Sequence, residues 1–295
     1  MRRIPSTQAL TALESFARLG VVRKTAEELN LTRSAVSHQL RLLERDLGFA
    51  LFERVGTGIV LTSRGRAFAN DVRDGLSLIR ASAVRNAGHD LSGQLTISCT
   101  PGFAASWLSP RIERFRAICP DVSLSIVTSR KLDDISNPDA DIFIVFKEKE
   151  TEADQAELLK EVAFTPLVSP VLSNRIGGLQ VPEDVLRCDL LHLSGRDDWN
   201  AWLQLAGLPA GSARSGVMFT DMNLVFNAAI NAQGIALGDE FIFREAMASG
   251  QLLRPFDLAI SSSKAYYLVI PRAKAEIASV AAFREWLLDE LPASP

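Results

Sequence analysis

A cluster of polar side chains near the amino terminus has the residue types and the spacing to form hydrogen bonds with nucleic acid. Ser34, Ser37, His38 and Arg41 are spaced 3, 1 and 3 residues apart, and Arg33 lies beside them. On a helix, such spacing places side chains on a shared face. Arginine pairs with guanine or with phosphate, and serine can contact either a base or a phosphate. The cluster predicts a surface that contacts duplex DNA; the competing interpretation is an ordinary solvated helix face.

The surrounding sequence predicts the helix that must carry this cluster. Apolar residues spaced 4, 3 and 4 apart form a stripe on another face: Val36, Leu40, Leu43 and Leu47. The Thr32 hydroxyl can accept a hydrogen bond from a free N–H of the first turn, and Gly48 can end the helix. We therefore expect a helix from Thr32 to Leu47 with one buried and one polar face.

Two shorter helices and a small hairpin are predicted around this helix. Ser6–Leu19 and Lys24–Asn30 have the apolar spacing of helices, and a tight turn at Leu31 leads into the third. Further on, two short apolar runs flank Gly56-Thr57-Gly58, a pattern typical of a hairpin. Arg54 lies at the root of this predicted wing, where it would contact a phosphate or the minor groove.

A long fourth helix is predicted from Thr62, which can cap it, to about Asn86. Its apolar residues are spaced 4, 4, 3 and 4 apart: Phe68, Val72, Leu76, Ile79 and Ala83. Because this helix joins two domains, its stripe needs a partner, and a second copy of the same helix is a natural one. We therefore expect the chain to dimerise through this segment.

Strand and helix patterns alternate over the rest of the chain. They include a helix over Phe103–Ile118, an almost wholly apolar strand over Ile142–Phe146 and a last helix over Ala278–Leu291. This alternation predicts an α/β domain of about 200 residues in two lobes. A hinge at 89–93 would separate this domain from the long helix.

The composition is that of a globular protein, with 47% hydrophobic and 23% charged residues. Residues 1–90 carry 14 basic and 9 acidic side chains, whereas the rest carries 18 and 26, so only the amino-terminal part has a basic excess. Apolar runs are too short to cross a membrane, and no apolar core of an export signal follows Arg2 and Arg3. We therefore expect a cytoplasmic protein without a membrane partner.

An ordered set of residues carries a family resemblance: Thr25 to Leu40, Leu42-Leu43-Glu44, Leu47-Gly48, Leu51-Phe52-Glu53-Arg54, Leu61-Thr62 and Gly65. This set resembles the winged helix-turn-helix of LysR-type transcriptional regulators. Four downstream segments are similar to the glycine-cleavage-activator branch of that family: Trp107–Arg111, Asp198-Trp199, Gln233–Gly238 and Ala265–Val269. Many members have glutamine in place of Arg33, alanine in place of Thr25 and a small polar residue in place of Val21. Val21 therefore predicts a second helix that is frayed or differently capped.

The resemblance implies an α/β protein with an N-terminal all-α winged helix-turn-helix, a long linker helix and a two-lobed periplasmic-binding-protein-like effector domain. The implied domains are residues 1–62 for DNA binding, 63–90 for the linker and dimerisation, and 91–295 for effector binding. Lobe I would comprise about 91–164 and 265–295, and lobe II about 165–264. Members usually work as tetramers and bind a small co-inducer in the cleft between the lobes. For this chain we expect a homotetramer with duplex DNA and RNA polymerase as partners, and no metal or cofactor. The DNA contacts would be Thr32, Arg33, Ser34, Ser37, His38, Arg41 and Arg54.

The small-molecule effector is expected where the strands end, since ligands of open α/β sheets collect at the carboxyl ends of strands. Cys99-Thr100-Pro101-Gly102 lies where the first strand turns into a helix, and free N–H groups at a helix start attract anions. Together with the family pattern, this gives the candidate contacts Thr100, Pro101, Thr128, Ser129, Phe146, His192 and Thr220. For Thr100 and Thr220, plain helix capping is an equal alternative.

Other functions are weighed against a regulator. The chain has no common nucleophile, zinc-protease, P-loop or dinucleotide motif, and its three histidines are dispersed, so we expect no enzyme. A cytoplasmic solute-binding or redox-sensing protein could use the same α/β domain, the latter through Cys99. Nothing near Cys99 in sequence would lower the pKa of its thiol, so a buried, inert cysteine is the expectation.

Overall fold

The computed structural model describes residues 4–56, 58–86, 91–129, 131–149, 156–209, 211 and 216–291. Its α-helices are α1 (Thr7–Leu19), α2 (Val22–Glu28), α3 (Arg33–Leu47), α4 (Ser63–Asn86), α5 (Ile112–Ile118), α6 (Pro170–Arg175), α7 (Asp197–Leu205), α8 (Met222–Ile230), α9 (Arg244–Ala248) and α10 (Ala278–Glu290). Its strands are β1 (Phe52–Val55), β2 (Gly58–Leu61), β3 (Gly93–Cys99), β4 (Val122–Thr128), β5 (Ile142–Glu148), β6 (Ala156–Leu167), β7 (Leu190–Leu193), β8 (Met218–Phe219), β9 (Ile235–Asp239) and β10 (Ile260–Val269).

The chain divides into two compact units. One is formed by Met1–Gly93, Arg114–Val122 and Glu276–Pro295, and the other by Gln94–Glu113 and Ser123–Ala275. Within the stretches that the structure describes, none of the helices combines the length and the apolar character that a membrane crossing requires.

The apolar stripe of α3 forms the centre of the core in the first unit. Val36, Leu40 and Leu43 are at most 2% exposed. Phe16 of α1 meets Phe52 of β1 edge to face, with ring centroids 5.3 Å apart. β1 and β2 pair in antiparallel fashion, which confirms the predicted hairpin. The hairpin is thus anchored to the helical core, and α3 is left with one face to solvent.

The second helix is capped in an unusual way. α2 begins two residues earlier than predicted, and the side chain of Val21 makes no capping hydrogen bond, as its residue type predicts. Instead the Thr25 hydroxyl, which is buried, donates a hydrogen bond to the Val21 carbonyl at 3.1 Å. The two departures from the family pattern at these positions are therefore in contact with each other.

The apolar stripe of α4 has two parts with different surroundings. Phe68, Val72 and Leu76 pack against the core of the first unit. Leu78 and Ile79, further along, are 49% and 63% exposed. The prediction that the whole stripe needs a second copy as its partner is therefore wrong for its first half, because the chain's own helices cover that half.

The second unit contains an eight-stranded sheet in the order β4-β3-β5-β10-β6-β9-β7-β8. In one lobe β3 and β5 are parallel, and in the other β7 runs parallel to β8 and β9. β10 is antiparallel to both β5 and β6, and β6 is antiparallel to β9. These two long strands join the lobes, so the predicted two-lobed α/β architecture is confirmed.

The helix predicted over Phe103–Ile118 is instead two separate segments. A π-helix spans Phe103–Leu108, and α5 begins only at Ile112. Pro110 lies at the break. Ser109, the residue before it, still has a helical conformation, with φ of -54° and ψ of -43°. The break therefore fits the missing N–H of proline, which cannot donate a hydrogen bond into a continuing helix.

Candidate functional site

Both ends of α3 are fixed by its own sequence. Oγ1 of Thr32 accepts a hydrogen bond from the Ala35 N–H at 3.1 Å, as predicted, and lies 3.0 Å from the Ser34 hydroxyl. Gly48 ends the helix with a φ of 72°, a left-handed conformation that glycine adopts without strain. The first turn of α3 is therefore formed independently of any ligand.

The side chains predicted to contact DNA lie together on the solvent side of α3. The exposed ones are Thr32, Arg33, Ser34, His38 and Arg41, and Ser37 is half-buried. Nε of Arg41 donates to the Ser37 carbonyl at 3.2 Å, which holds the guanidinium along the helix. Arg54 is exposed on β1. The structure thus presents a row of donors without an acidic side chain among them.

Glu44 fixes the wing to α3, a role that the sequence did not reveal. Its Oε1 accepts hydrogen bonds from the backbone N–H groups of Leu51 and Phe52, at 2.8 and 3.1 Å. Such charge-assisted bonds are stronger than neutral ones. A glutamate near a helix end has many uses, and only the fold shows that two N–H groups converge on this one.

The junction between the wing and α4 is tightly packed. The Thr62 hydroxyl donates to the Ala50 carbonyl at 3.1 Å and accepts from the Gly65 N–H at 2.9 Å, which confirms its capping role. A Cβ on Gly65 would lie 2.1 Å from the Leu51 carbonyl oxygen. Only glycine therefore fits at this position.

In the second unit, Thr100 and Phe146 meet a tyrosine that was absent from the predicted site. Tyr266 pairs with Phe146 across β10 and β5, and their ring centroids are 4.8 Å apart. The Tyr266 hydroxyl is hydrogen-bonded to the Thr100 side chain, and burial raises the pKa of the phenol. Oγ1 of Thr100 also accepts a hydrogen bond from the Phe103 N–H at 3.4 Å. Thr100 therefore caps the following helix and also remains a candidate contact of the effector. Pro101, which follows, is half-buried.

Thr128 and Ser129 lie at the end of β4 and have different surroundings. Thr128 is exposed. The Ser129 hydroxyl donates to Oδ2 of Asp134 at 2.8 Å and accepts from the Lys131 N–H at 3.2 Å. Hydrogen bonds from Ser136 and then from Ser129 lower the pKa of Asp134 to about 2. The Ser129 hydroxyl is therefore committed to its own loop.

The remaining candidates belong to the parallel pair β7–β8 in the other lobe. His192 is 1% exposed, and its backbone N–H donates a hydrogen bond to the Val217 carbonyl at 2.9 Å. Thr220 is exposed just after β8. The residue that caps α8 is Asp221, whose Oδ1 accepts from the Asn223 N–H at 2.8 Å. Thr220 therefore does not have the capping role that was its alternative.

The two lobes approach each other at Gly102. A Cβ on Gly102 would lie 3.5 Å from Cβ and Cγ of Met222, two residues after Thr220. A cavity of about 30 Å³ lies beside Met222 and is lined by apolar residues and Asp198. Partial burial and the charge of Asp197 raise the pKa of Asp198. The loop after β3 and the start of α8 thus face the same region.

A buried carboxyl lies where the lobes join. Asp239 ends β9, is 5% exposed, and accepts hydrogen bonds at Oδ1 from the N–H groups of Phe241 and Ile242, at 2.7 and 3.0 Å. Burial raises its pKa to about 6, although the two hydrogen bonds oppose the shift. The sequence showed only an aspartate after an apolar strand.

The raised pKa of Asp239 predicts a pH-dependent stability. Because an unfolded aspartate titrates near 3.9, the stabilising contribution is complete below that pH and is lost as pH rises through 6. Asp239→Asn keeps an oxygen acceptor and should remove this loss, about 3 kcal/mol for two pKa units. Thermal melts at pH 4 and 7.5 would measure it. The exposed Asp139→Asn is the control, and equal pH dependence of Asp239→Asn and the wild type would contradict the prediction.

Cys99 has the environment of an inert thiol. It is 3% exposed, and burial raises the pKa of its thiol to about 12. Because the thiolate is the reactive form, Cys99 is protonated and unreactive at neutral pH. A redox-sensing function is therefore not favoured.

Two family models match the chain. Residues 7–66 match the model described as bacterial regulatory helix-turn-helix protein, lysR family, and residues 88–292 match the LysR substrate binding domain. The glycine cleavage system transcriptional activator of Escherichia coli is 32% identical over 287 residues, which are 97% of this chain and 94% of that protein. The HTH-type transcriptional activator AmpR of Pseudomonas aeruginosa is 33% identical over 282 residues, 95% of this chain and 94% of that protein.

Solved structures of transcriptional regulators also resemble this chain. The effector domain of AmpR from Pseudomonas aeruginosa is 31% identical, with a TM-score of 0.56 over 66% of this chain and 94% of that chain. CrgA, a LysR-type transcriptional regulator from Neisseria meningitidis, covers 98% of this chain and 99% of its own, with a TM-score of 0.57 and 21% identity. The likeness to CrgA extends the shared fold to both domains.

Proposed function

Because this chain belongs to the LysR-type family of DNA-binding transcription regulators with an effector-binding domain, we propose that α3 reads its operator and that an effector binds between Thr100 and Thr220. The observation that carries the proposal is the solvent face of α3. The opposite, apolar face of this helix is buried in the core, and the wing lies beside the helix. A helix fixed in this way can enter the major groove without refolding.

The early residues of a recognition helix reach base edges. This assigns base reading and phosphate contact to Arg33 and Arg41, with Thr32, Ser34, Ser37 and His38 beside them on the same surface. Arg54 on the wing contacts a phosphate or the minor groove. The exposure of all these side chains except the half-buried Ser37 supports the assignment.

Arg33→Ala and Arg41→Ala should each weaken binding to the operator by about 1–3 kcal/mol where the arginine reads a base. Arg45→Ala is the matched control, because Arg45 is exposed near the other end of α3. It should affect all sequences alike and lower the slope of affinity against salt by at most about one. The measurement is titration of an operator fragment recovered from random duplex DNA. Unchanged affinity in both α3 variants would remove this face from base recognition.

For the effector, the hydroxyl groups suggest a small polar molecule. Thr100, Pro101 and Phe146 lie on one side of the site together with Tyr266, and His192 and Thr220 lie on the other. We assign Thr128 and Ser129 to its rim. Ser129 would contact a ligand only through its carbonyl oxygen, because its hydroxyl is bonded to Asp134 and its N–H to the Cys99 carbonyl. The approach of Met222 to Gly102 supports a compact ligand.

Thr100→Val should reduce the response to an effector. It should also lower the stability of the ligand-free protein by about 1 kcal/mol, because the Thr100 hydroxyl accepts a hydrogen bond from the Phe103 N–H, so the response is taken as the ligand-induced shift from each variant's own melting temperature. A ligand at 100 times its Kd stabilises a protein by about 2.7 kcal/mol, so a screen of amino acids, dicarboxylates and nucleobases by thermal shift can find it. Loss of a hydrogen bond to the ligand should weaken binding by about 1 kcal/mol, roughly fivefold. Ser123→Ala, which removes an exposed hydroxyl from β4, is the control. An identical ligand response in both variants would exclude Thr100 from the site.

Several further properties follow from family membership as proposals. Leu78 and Ile79 provide apolar surface for dimerisation through α4, and pairs of dimers give the homotetramer. The domain bounds are those predicted from the sequence, 1–62, 63–90 and 91–295. We place the protein in the cytoplasm, acting on transcription through RNA polymerase, and we expect it to turn over no substrate.

A further inference from the structure

Four charged side chains join α4 to α5 and α10 within the first unit. Nη1 of Arg73 on α4 lies 3.7 Å from Oε2 of Glu290, the last residue of α10. Nη1 of Arg114 on α5 lies 3.1 Å from the same oxygen, and its Nε lies 3.6 Å from Oδ2 of Asp74 on α4. Most of α4 lies between the two family-matched segments. Ion pairs thus connect it to two helices of the LysR substrate binding domain.

Glu290 depends on these arginines. Its side chain is only 4% exposed, and a buried carboxylate is costly unless it is paired. It also lies at the carboxyl end of α10, where the helix dipole disfavours negative charge. Arg73 and Arg114 offset both costs, so the position of α4 matters to the end of α10.

The two sides of this contact differ in rigidity. α5 and α10 are held together by buried rings, with Phe115 centred 5.1 Å from Phe283 and 5.4 Å from Trp286. By contrast, the side chains that α4 supplies, Arg73 and Asp74, are 21% and 43% exposed. The ion pair of the exposed Asp74 with Arg114 contributes little free energy. The 3.7 Å between Arg73 and Glu290 is longer than a hydrogen bond. A movement of α5 and α10 as one body would therefore act on a contact that can open.

The same end of α10 makes a small electrostatic contribution at α1. Burial of the Arg18 guanidinium on α1 would lower its pKa, but Glu28, Glu14 and Asp289 raise it. Asp289 is the residue before Glu290. The acidic end of α10 is thus within electrostatic reach of both α1 and α4.

We propose that Arg73, Asp74, Arg114 and Glu290 form a latch through which the effector domain holds the linker helix α4. A shift of α5 and α10 breaks or restores the ion pairs of α4, and so moves the DNA-binding helices packed on it. This regulatory consequence rests on the proposed function. The latch itself does not, and it can be tested on the full chain without DNA or effector.

The test is a distance between spin labels on Ala67→Cys of α4 and Glu285→Cys of α10, two exposed positions. The native cysteines are buried, and dilution with unlabelled chain restricts the distances to one molecule. In the wild type, the closed ion pairs should give one narrow population of distances. Arg73→Glu should replace it with a broad or longer one, because the ratio of open to closed chains rises about 5- to 150-fold. Glu290→Gln should act in the same direction, whereas Arg73→Lys should retain the narrow population.

Arg66→Glu is the matched control, because it reverses the charge of an exposed arginine on α4 that has no ion pair with any described residue. It should leave the distance unchanged. If Arg73→Glu fails to fold, Arg73→Ala and Glu290→Gln decide the question. A wild-type distance distribution in the folded Arg73 and Glu290 variants would overturn the latch, and would leave DNA and effector binding unaffected as proposals.

Discussion

Replacing Gly65 by alanine should disrupt the junction between the wing and α4 and abolish DNA binding. The added Cβ would lie 2.1 Å from the Leu51 carbonyl oxygen and 2.8 Å from its carbonyl carbon. Both are backbone atoms, so no side-chain rotation relieves the overlap, and the wing must move away from α4. We expect a loss of about 3 kcal/mol or more in the stability of the DNA-binding domain. The measurement is thermal unfolding together with affinity for duplex DNA.

Gly75→Ala is the matched control for this prediction. Gly75 lies on the same helix, and a Cβ there would have no heavy atom within 4 Å. Alanine is favoured over glycine inside a helix by about 1 kcal/mol, so this variant should be neutral or more stable. If Gly65→Ala melted and bound DNA like Gly75→Ala, the close approach to Leu51 would be wrong.

Glu44→Ala should detach the wing from α3. The substitution removes Oε1 of Glu44, the acceptor that the partly buried backbone N–H groups of Leu51 and Phe52 share. A hydrogen bond to a charged group contributes about 1.5–3 kcal/mol, so loss of two should cost about 3 kcal/mol or more. DNA affinity should fall as well, because Arg54 would lose its fixed position relative to α3.

Two further variants test the role of the Glu44 carboxylate. Glu44→Gln keeps an oxygen acceptor without the charge and should lose less than alanine. Glu53→Ala removes an exposed glutamate from β1 and should change the stability by at most about 0.5 kcal/mol. A Glu44→Ala protein as stable as Glu53→Ala would show that the carboxylate does not hold the wing.

Features determined by neighbouring residues could be predicted from the sequence. Thr32 caps α3 and Gly48 ends it because each acts on backbone groups within a few positions. The helix over Phe103–Ile118 was wrongly predicted as continuous because its apolar spacing outweighed Pro110. The first half of the α4 stripe was assigned to a second copy because periodicity shows that a face is buried, not what covers it.

The sites were harder to predict, since they depend on contacts between distant parts of the chain. Tyr266 reaches Thr100 only because β10 pairs with β5, which pairs with β3. Glu44 and Gly65 belong to the family motif, yet only the packing of the wing gives the reason for either residue. Thr100, Phe146 and Thr220 remain predictions. They follow from the rule that ligands collect at strand ends, which needs the strands but no side-chain detail.

The central claim is that α3 reads a DNA sequence, and selection of bound molecules from random duplex DNA tests it most directly. A dimer that reads DNA through α3 should enrich two half-sites related by a dyad and separated by about one helical turn or a multiple of it. Arg33→Ala or Arg41→Ala should change the enriched base at one position in each half-site, whereas Arg45→Ala should not. Failure of the wild-type chain to enrich any sequence, or enrichment of the same half-sites by both α3 variants, would contradict it.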